Sequence, residues 1–184
     1  MNINTIGGQE IDLNNPRPSD IDLNDILHAL SHINRYNGHT IQPYSVAQHT
    51  LAMVMFMEAK KSRFAATQAA LIHDFPEYLL GDITTPLKRL LGPEYDALTM
   101  RLENAICKRF DVLDGGRHFR AIYDQSVESV DKMAARSEMK LLETTHDTQD
   151  TDGVMDRVVG AVMYLDPTGV RNLLRKKAKG YLNV

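Results

Sequence analysis

The run Ile72-His73-Asp74-Phe75-Pro76-Glu77 sets an imidazole beside a carboxylate, with a second carboxylate three residues on, and further ligand candidates stand upstream at His49 and downstream at Asp131. These residue types can hold a divalent metal. Adjacent side chains on a helix point about 100° apart, so His73 and Asp74 can approach one ion only where their helix meets ligands from other helices. Two neutral imidazoles and two carboxylates from His49, His73, Asp74 and Asp131 form a mixed nitrogen and oxygen set. It suits Zn²⁺, Mn²⁺, Fe²⁺, Co²⁺ or Ni²⁺ without choosing among them. A cation so held acidifies bound water toward a pKa of ~7 and neutralises charge on a phosphoryl oxygen, as phosphoester hydrolysis at neutral pH requires. Taken singly, each histidine also reads as a hydrogen-bonded core residue. Taken together they do not, because a His-Asp pair after the apolar stretch Ala69-Ala70-Leu71-Ile72 leaves charge poorly solvated unless something compensates it.

Helices must position these groups. Residues 1–19 carry Gly7-Gly8, Asn14-Asn15-Pro16 and Pro18, which predict a loop or short β-hairpin. Ser19 followed by Asp22 resembles a capping box, and Ile21, Leu23, Ile26, Leu27, Leu30 and Ile33 form an apolar stripe that Asn37-Gly38 ends. Residues 44–61 predict a buried helix containing His49, and a next helix runs from a cap at Ser62 to Phe75, where Pro76 forces a kink or stop. The His-Asp pair thus falls at a helix C-terminal end. Residues 93–110 and 118–143 predict two further helices, the second a long one containing Asp131. A polar loop over residues 147–152, a helix over 154–164 and a last helix opened by Pro167 and ending in Arg175-Lys176-Lys177 complete an all-α globule of six to eight helices.

Composition narrows the classes. At 184 residues the chain is expected to form one domain over 1–184, and domains of this size bury roughly 70% of their unfolded surface. The formal charge of −3 gives no general attraction to nucleic acid, so an anionic substrate must be held by a local basic cluster. Cys107 is the single cysteine, expected to be a buried thiol in a reducing compartment. No apolar run approaches the ~20 residues that span a bilayer, and the first residues carry no secretion signal, which together predict a cytoplasmic protein with no membrane partner.

The order His49, then His73-Asp74, then Asp131 resembles the HD-domain metal-dependent phosphohydrolases. HDFPEYLLGDITTPLK resembles the H-D-x-x-E-x-x-x-G-D-x-x-T-P-x-K stretch of their 5′-deoxynucleotidase branch, and the phage dATP triphosphohydrolases are similar. The likeness covers roughly residues 26 to 141. It implies that His49, His73, Asp74 and Asp131 hold the metal, and that Glu77 and Asp82 are the acid/base carboxylates beside the attacking water. Glu77, one turn beyond Asp74, can face the same cavity, where a carboxylate orients water or joins a second divalent ion such as Mg²⁺.

Phosphate calls for cations, and Arg35 and Lys88 flank the cluster in sequence. In the deoxynucleotidase branch an Arg followed by an aromatic residue precedes the first metal histidine and contacts phosphate and sugar. Arg35-Tyr36 is similar, with Tyr36 where the familiar pattern has Trp. An aromatic face there can pack on a deoxyribose and leave a 2′-hydroxyl unpaired. His28 and His32 are spaced i, i+4 without a third ligand, and His39 lies near the expected mouth, while Lys132 and Arg136 beside Asp131 read as surface.

Three functions compete: a nucleotide phosphohydrolase, an HD-type hydrolase of cyclic dinucleotides or alarmones, and a non-catalytic helical binding module. The cyclic-dinucleotide branch carries a GYP-type motif that is missing here, the alarmone branch places a second acid where Tyr78 stands, and a binding module would lack a ligand. The expectation is a dATP or general dNTP triphosphohydrolase, with a 5′-deoxynucleotidase acting on dNMPs as the alternative. Its partner is a small deoxynucleotide, and a homo-oligomer is expected.

Overall fold

The computed structural model describes residues 1–142 and 151–184, and their regular structure is helical apart from one short hairpin. Strands β1 (Asn2–Asn4) and β2 (Glu10–Asp12) pair antiparallel with Ile3 opposite Ile11, as the glycine-rich start predicts. The hairpin is fastened to α1 (Leu23–Leu30) by the Asp25 carboxylate, which accepts hydrogen bonds from Thr5 Oγ1 and Gly7 N. Helix α1 starts later than the Ser19 capping box predicts. Ser19 lies in a 3-10 turn over Pro18–Asp20, and Asp22 caps the helix through Asn24 N and Asp25 N.

Helix α2 (Val46–Ala59) is buried on nearly every face, so it must run through the centre of the fold. Ser45 and Gln48 form its capping box, and the Gln48 amide also donates to the carbonyls of Val162, Met163 and Leu165, which pins the start of α2 to the end of α9 (Gly153–Val162). Around α2 pack α9, α3 (Phe64–Ile72), α8 (Glu128–Leu141) and α10 (Pro167–Tyr181). The cap of α3 is Arg63, with no side-chain hydrogen bond, so Ser62 does not act as the cap its type suggested.

Between α3 and α8 the chain forms α4 (Glu77–Leu80), α5 (Thr85–Leu91), α6 (Pro93–Arg109) and α7 (Phe119–Ile122). The long helix expected over 118–143 is interrupted: a five-residue π-helical segment, Tyr123–Val127, separates α7 from α8. Neither Gly nor Pro marks that break, which is why periodicity alone missed it. The basic stretch Arg175-Lys176-Lys177 is not the end of its helix. Helix α10 continues to Tyr181, and Lys177 pairs with Glu58.

Among the described residues there are eight helices of seven residues or more, besides the single turns α4 and α7, so the protein is all-α. Cys107 is buried. No helix is long and apolar enough to cross a membrane among the described residues. Most of the polar loop expected at 147–152, and His146, lie outside them.

Candidate metal centre and substrate cleft

Three segments deliver the donors. His49 sits in the first turn of α2, whose entry is held by Val46 N donating to Ile33 O and by the bridge between Asn34 and Ser45. His73 is the C-cap of α3, and beyond it the chain turns before Pro76. Phe75, fully buried and edge-on to Phe110, anchors that turn, so Asp74 swings back toward the His73 ring. Asp131 comes from the first turn of α8.

Ligands 2.0–2.2 Å from one ion stand roughly 3–4.4 Å apart. His73 Nε2 lies 3.1 Å and His49 Nε2 3.7 Å from Asp74 Oδ2, and His49, His73 and Asp74 each offer an atom within 4.8 Å of the others. Asp131 is outside that mutual set, yet its Oδ1 is 3.2 Å from His49 Nε2. His49 Nε2, His73 Nε2 and Asp74 Oδ2 are buried and make no hydrogen bond.

The opposite ring nitrogens explain why. His73 Nδ1 is 2.8 Å from Ala70 O, a carbonyl that can only accept, so Nδ1 carries the proton and the lone pair of the neutral ring is on Nε2. His49 Nδ1 is 2.6 Å from Glu138 Oε1. In their neutral forms the two imidazoles thus turn Nε2 toward a carboxylate oxygen at one buried point, an arrangement that a divalent cation satisfies. His28 and His32 form no such group: His32 Nδ1 faces His28 O at 2.8 Å, and Arg171 approaches His28 Nδ1 at 3.1 Å.

The electrostatics agree. Burial disfavours charge on Asp74 and Asp131, but His73 and His49 beside them hold both carboxyls well below the usual range. Burial and Arg35 oppose a proton on His49, yet Glu138 and Asp131 outweigh them and push it up to about 10. Without a cation, it is the His49 ring, not these carboxylates, that carries the proton. Glu77 is different, because burial and the Asp74 charge push its carboxyl up to about 8 against the pull of Lys88.

A cleft of about 480 Å³ opens beside the cluster, walled by Arg35, Tyr36, Asp74, Glu77, Asp82, Lys88 and Asp131. The sequence candidates Arg35, Tyr36, Glu77, Asp82 and Lys88 for substrate or acid/base work all border it. Glu77 opens α4 rather than closing the previous helix; its Oε1 accepts from Lys88 Nζ at 3.1 Å, and its Oε2 is buried without a partner. Asp82 follows Gly81, whose φ of 76° and ψ of 165° suit only glycine and turn the chain back along the cleft. Arg35 is less free than a phosphate contact would be, since its Nε donates to Glu138 Oε2 at 3.0 Å and its Nη1 lies 3.7 Å from Asp74 Oδ2. Tyr36 and Asn37 adopt positive φ of 58° and 51°, a local strain that turns the Tyr36 ring to the cleft while its hydroxyl donates to Glu138 Oε2 at 2.7 Å. His39 is not among the residues that wall the cleft.

The pattern of helix and loop conceals two contributors. Glu138 accepts from His49, Arg35 and Tyr36 at full burial. Its signal is the seven-residue step from Asp131, which puts both on one face of α8. Tyr123, in the π segment, lies over the His73 ring at 6.0 Å and donates to Asp131 Oδ2 at 2.9 Å.

A family model described as HD domain matches residues 27–149, two-thirds of the chain and the whole of this donor set. The chain belongs to the HD-domain family. An uncharacterized protein of Rhodobacter capsulatus is 34% identical to this HD-domain protein over 172 residues, which cover 91% of the chain and 82% of the relative. Uncharacterized protein YfdR of Escherichia coli K12 is 36% identical over 108 residues, covering 59% of the chain and 57% of YfdR. Membership of the HD-domain family implies metal-dependent phosphohydrolase chemistry in general, and the buried nitrogen and oxygen cluster is where an HD-domain protein of this sequence can hold its divalent ion.

Proposed function

We propose that this HD-domain protein hydrolyses deoxynucleotides at the centre formed by His49, His73, Asp74 and Asp131, with a dNTP such as dATP giving deoxynucleoside and triphosphate. The observation that carries the reading is the meeting of three buried, unbonded donor atoms beside a cleft that also presents Arg35 and Lys88. A divalent metal bound there, of Zn, Mn, Co, Fe or Ni type, supplies an acidified water and a sink for phosphoryl charge.

The chain's own groups do the rest. Glu77 takes the proton from the attacking water at Oε2, the oxygen Lys88 leaves free. Asp82 borders the same space as a second carboxylate for proton transfer. Lys88, held protonated by Glu77 and Asp74 although burial opposes its charge, and Arg35 offset the phosphate. The Tyr36 ring offers a face to the sugar.

A chamber of about 180 Å³ shares Asp74, Glu77, Lys88 and Tyr123 with the cleft and adds Arg120, paired there with Glu103, and Asp96, so only its space, and not its charge, supports a substrate with phosphates beyond the first. The second reading, a 5′-deoxynucleotidase acting on dNMPs, is favoured by the run from His73 to Lys88. In both readings the protein works in the cytoplasm on a small molecule, as a homo-oligomer. A metal-supplemented panel of dNTPs, NTPs and dNMPs, with products separated by chromatography, tests them. Triphosphate from dATP is expected; orthophosphate from monophosphates moves the assignment to the second reading. Hydrolysis that survives both chelation and His73→Ala overturns both.

A further inference from the structure

Glu138 lies two turns beyond Asp131 on α8, with Ala134 and Ser137 buried between them, and it is wholly buried. Its Oε1 is 2.6 Å from His49 Nδ1, while its Oε2 accepts from Arg35 Nε at 3.0 Å and from the Tyr36 hydroxyl at 2.7 Å. One carboxylate therefore joins a metal-side imidazole to the wall of the substrate cleft.

We infer that Glu138 is a positioning residue: it holds the proton of His49 on Nδ1, leaving Nε2 to a cation, and it ties that ring to Arg35 and Tyr36. The inference rests on the metal-centre reading above. An imidazole can offer either nitrogen, and a carboxylate accepting from one of them fixes both the tautomer and the ring's orientation. Glu138 meets this requirement with one oxygen and orders Arg35 and Tyr36 with the other. Arg35 carries only donors, so it dictates which way a substitute can face.

Glu138→Gln is then an informative change. Its amide oxygen is drawn to the Arg35 and Tyr36 donors, which turns its NH₂ toward His49. That donor demands a lone pair on Nδ1, moves the ring proton to Nε2 and removes the lone pair that the cation needs. Zn²⁺ binding by the folded Glu138→Gln protein, measured by competition with a chromophoric chelator, is expected to weaken roughly 10- to 100-fold. The second measurement uses the unmutated protein: long-range proton–nitrogen NMR of the Zn²⁺-loaded chain is expected to show His49 protonated at Nδ1. A merely structural role lowers the melting temperature and leaves the Zn²⁺ affinity of the folded variant alone.

A folded Glu138→Gln protein that binds Zn²⁺ as the parent does overturns the inference, as does a parent spectrum with the His49 proton on Nε2. Where the variant does not fold, the parent spectrum decides. A parent that takes up none of Zn²⁺, Mn²⁺ or Co²⁺ removes the metal centre itself, an outcome distinct from a parent that binds and a variant that binds equally well.

Discussion

Replacing Arg35 by Met probes the electrostatic balance behind the cluster. The Arg35 side chain is 12% exposed, pairs with the fully buried Glu138 at 3.0 Å and lies 3.7 Å from Asp74 Oδ2. Arg35→Met keeps an apolar stem of similar reach and removes the charge. Removing one partner of a buried pair costs about 3–5 kcal/mol, because the other charge stays behind without compensation. Glu138 keeps its bonds from His49 and Tyr36, which places the expected loss at the lower end, about 3 kcal/mol. For a domain of this size each kcal/mol moves the melting temperature roughly 2–4 °C, so the expected drop is about 6–12 °C. Thermal and urea unfolding followed by circular dichroism, in excess chelator so that no ion contributes, measures it. A loss under about 1 kcal/mol, the scale of an exposed pair, refutes the reasoning that Arg35 compensates buried carboxylates.

Chelation itself has a calculable effect: an ion at a hundred times its Kd stabilises the native state by about 2.7 kcal/mol, so stripping it is expected to lower the melting temperature by roughly 5–11 °C. A melting curve indifferent to chelator and to added Zn²⁺, Mn²⁺ or Co²⁺ speaks against a site in the folded chain. Gly81→Ala forces an L side chain into a φ of 76° and ψ of 165°, a conformation that costs on the order of 1–3 kcal/mol. It should also depress turnover, since Glu77 and Asp82 flank the turn; unchanged stability and turnover would contradict this.

The metal-free protein is expected to be most stable near pH 4.5 and to lose stability on either side. Glu138, held down to about 2 by Arg35 and His49 despite its burial, contributes stability that is complete above 4.5 and is lost as the pH falls through 2. Glu77, raised to about 8, contributes stability that is complete below 4.5 and is lost as the pH rises through 8, and His49, raised to about 10, contributes stability that is complete below 6.5 and is lost as the pH rises through 10. Urea midpoints across this range test it, and a midpoint that climbs steadily from pH 6.5 to 9 contradicts the assignment.

The chemistry was more legible in the sequence than the scaffold that orients it. His73-Asp74 and His49 announce themselves because charged and imidazole groups among apolar residues need a reason to be there, and the structure brings them together. Glu138 gave no such sign. It follows Glu128, Lys132 and Arg136 on α8 and precedes Lys140, so it reads as part of a solvated face until α2 and the Arg35 loop close over it. Tyr123 was hidden for another reason: the π segment shifts the register of the helix, so spacing from Asp131 misplaces its ring. The start of α1 moved from Ser19 to Asp22 because Pro18 opens a separate turn, a competition between two local caps that residue types alone do not resolve.

In the function proposed above, His49, His73, Asp74 and Asp131 hold one catalytic cation at the cleft. Metal content and dNTP hydrolysis should be measured together for the parent and for His73→Ala, with folding of both checked by circular dichroism. The parent is expected to retain a divalent ion and release product, and the folded variant to lose both. A folded variant that keeps its ion and its turnover contradicts the proposed function.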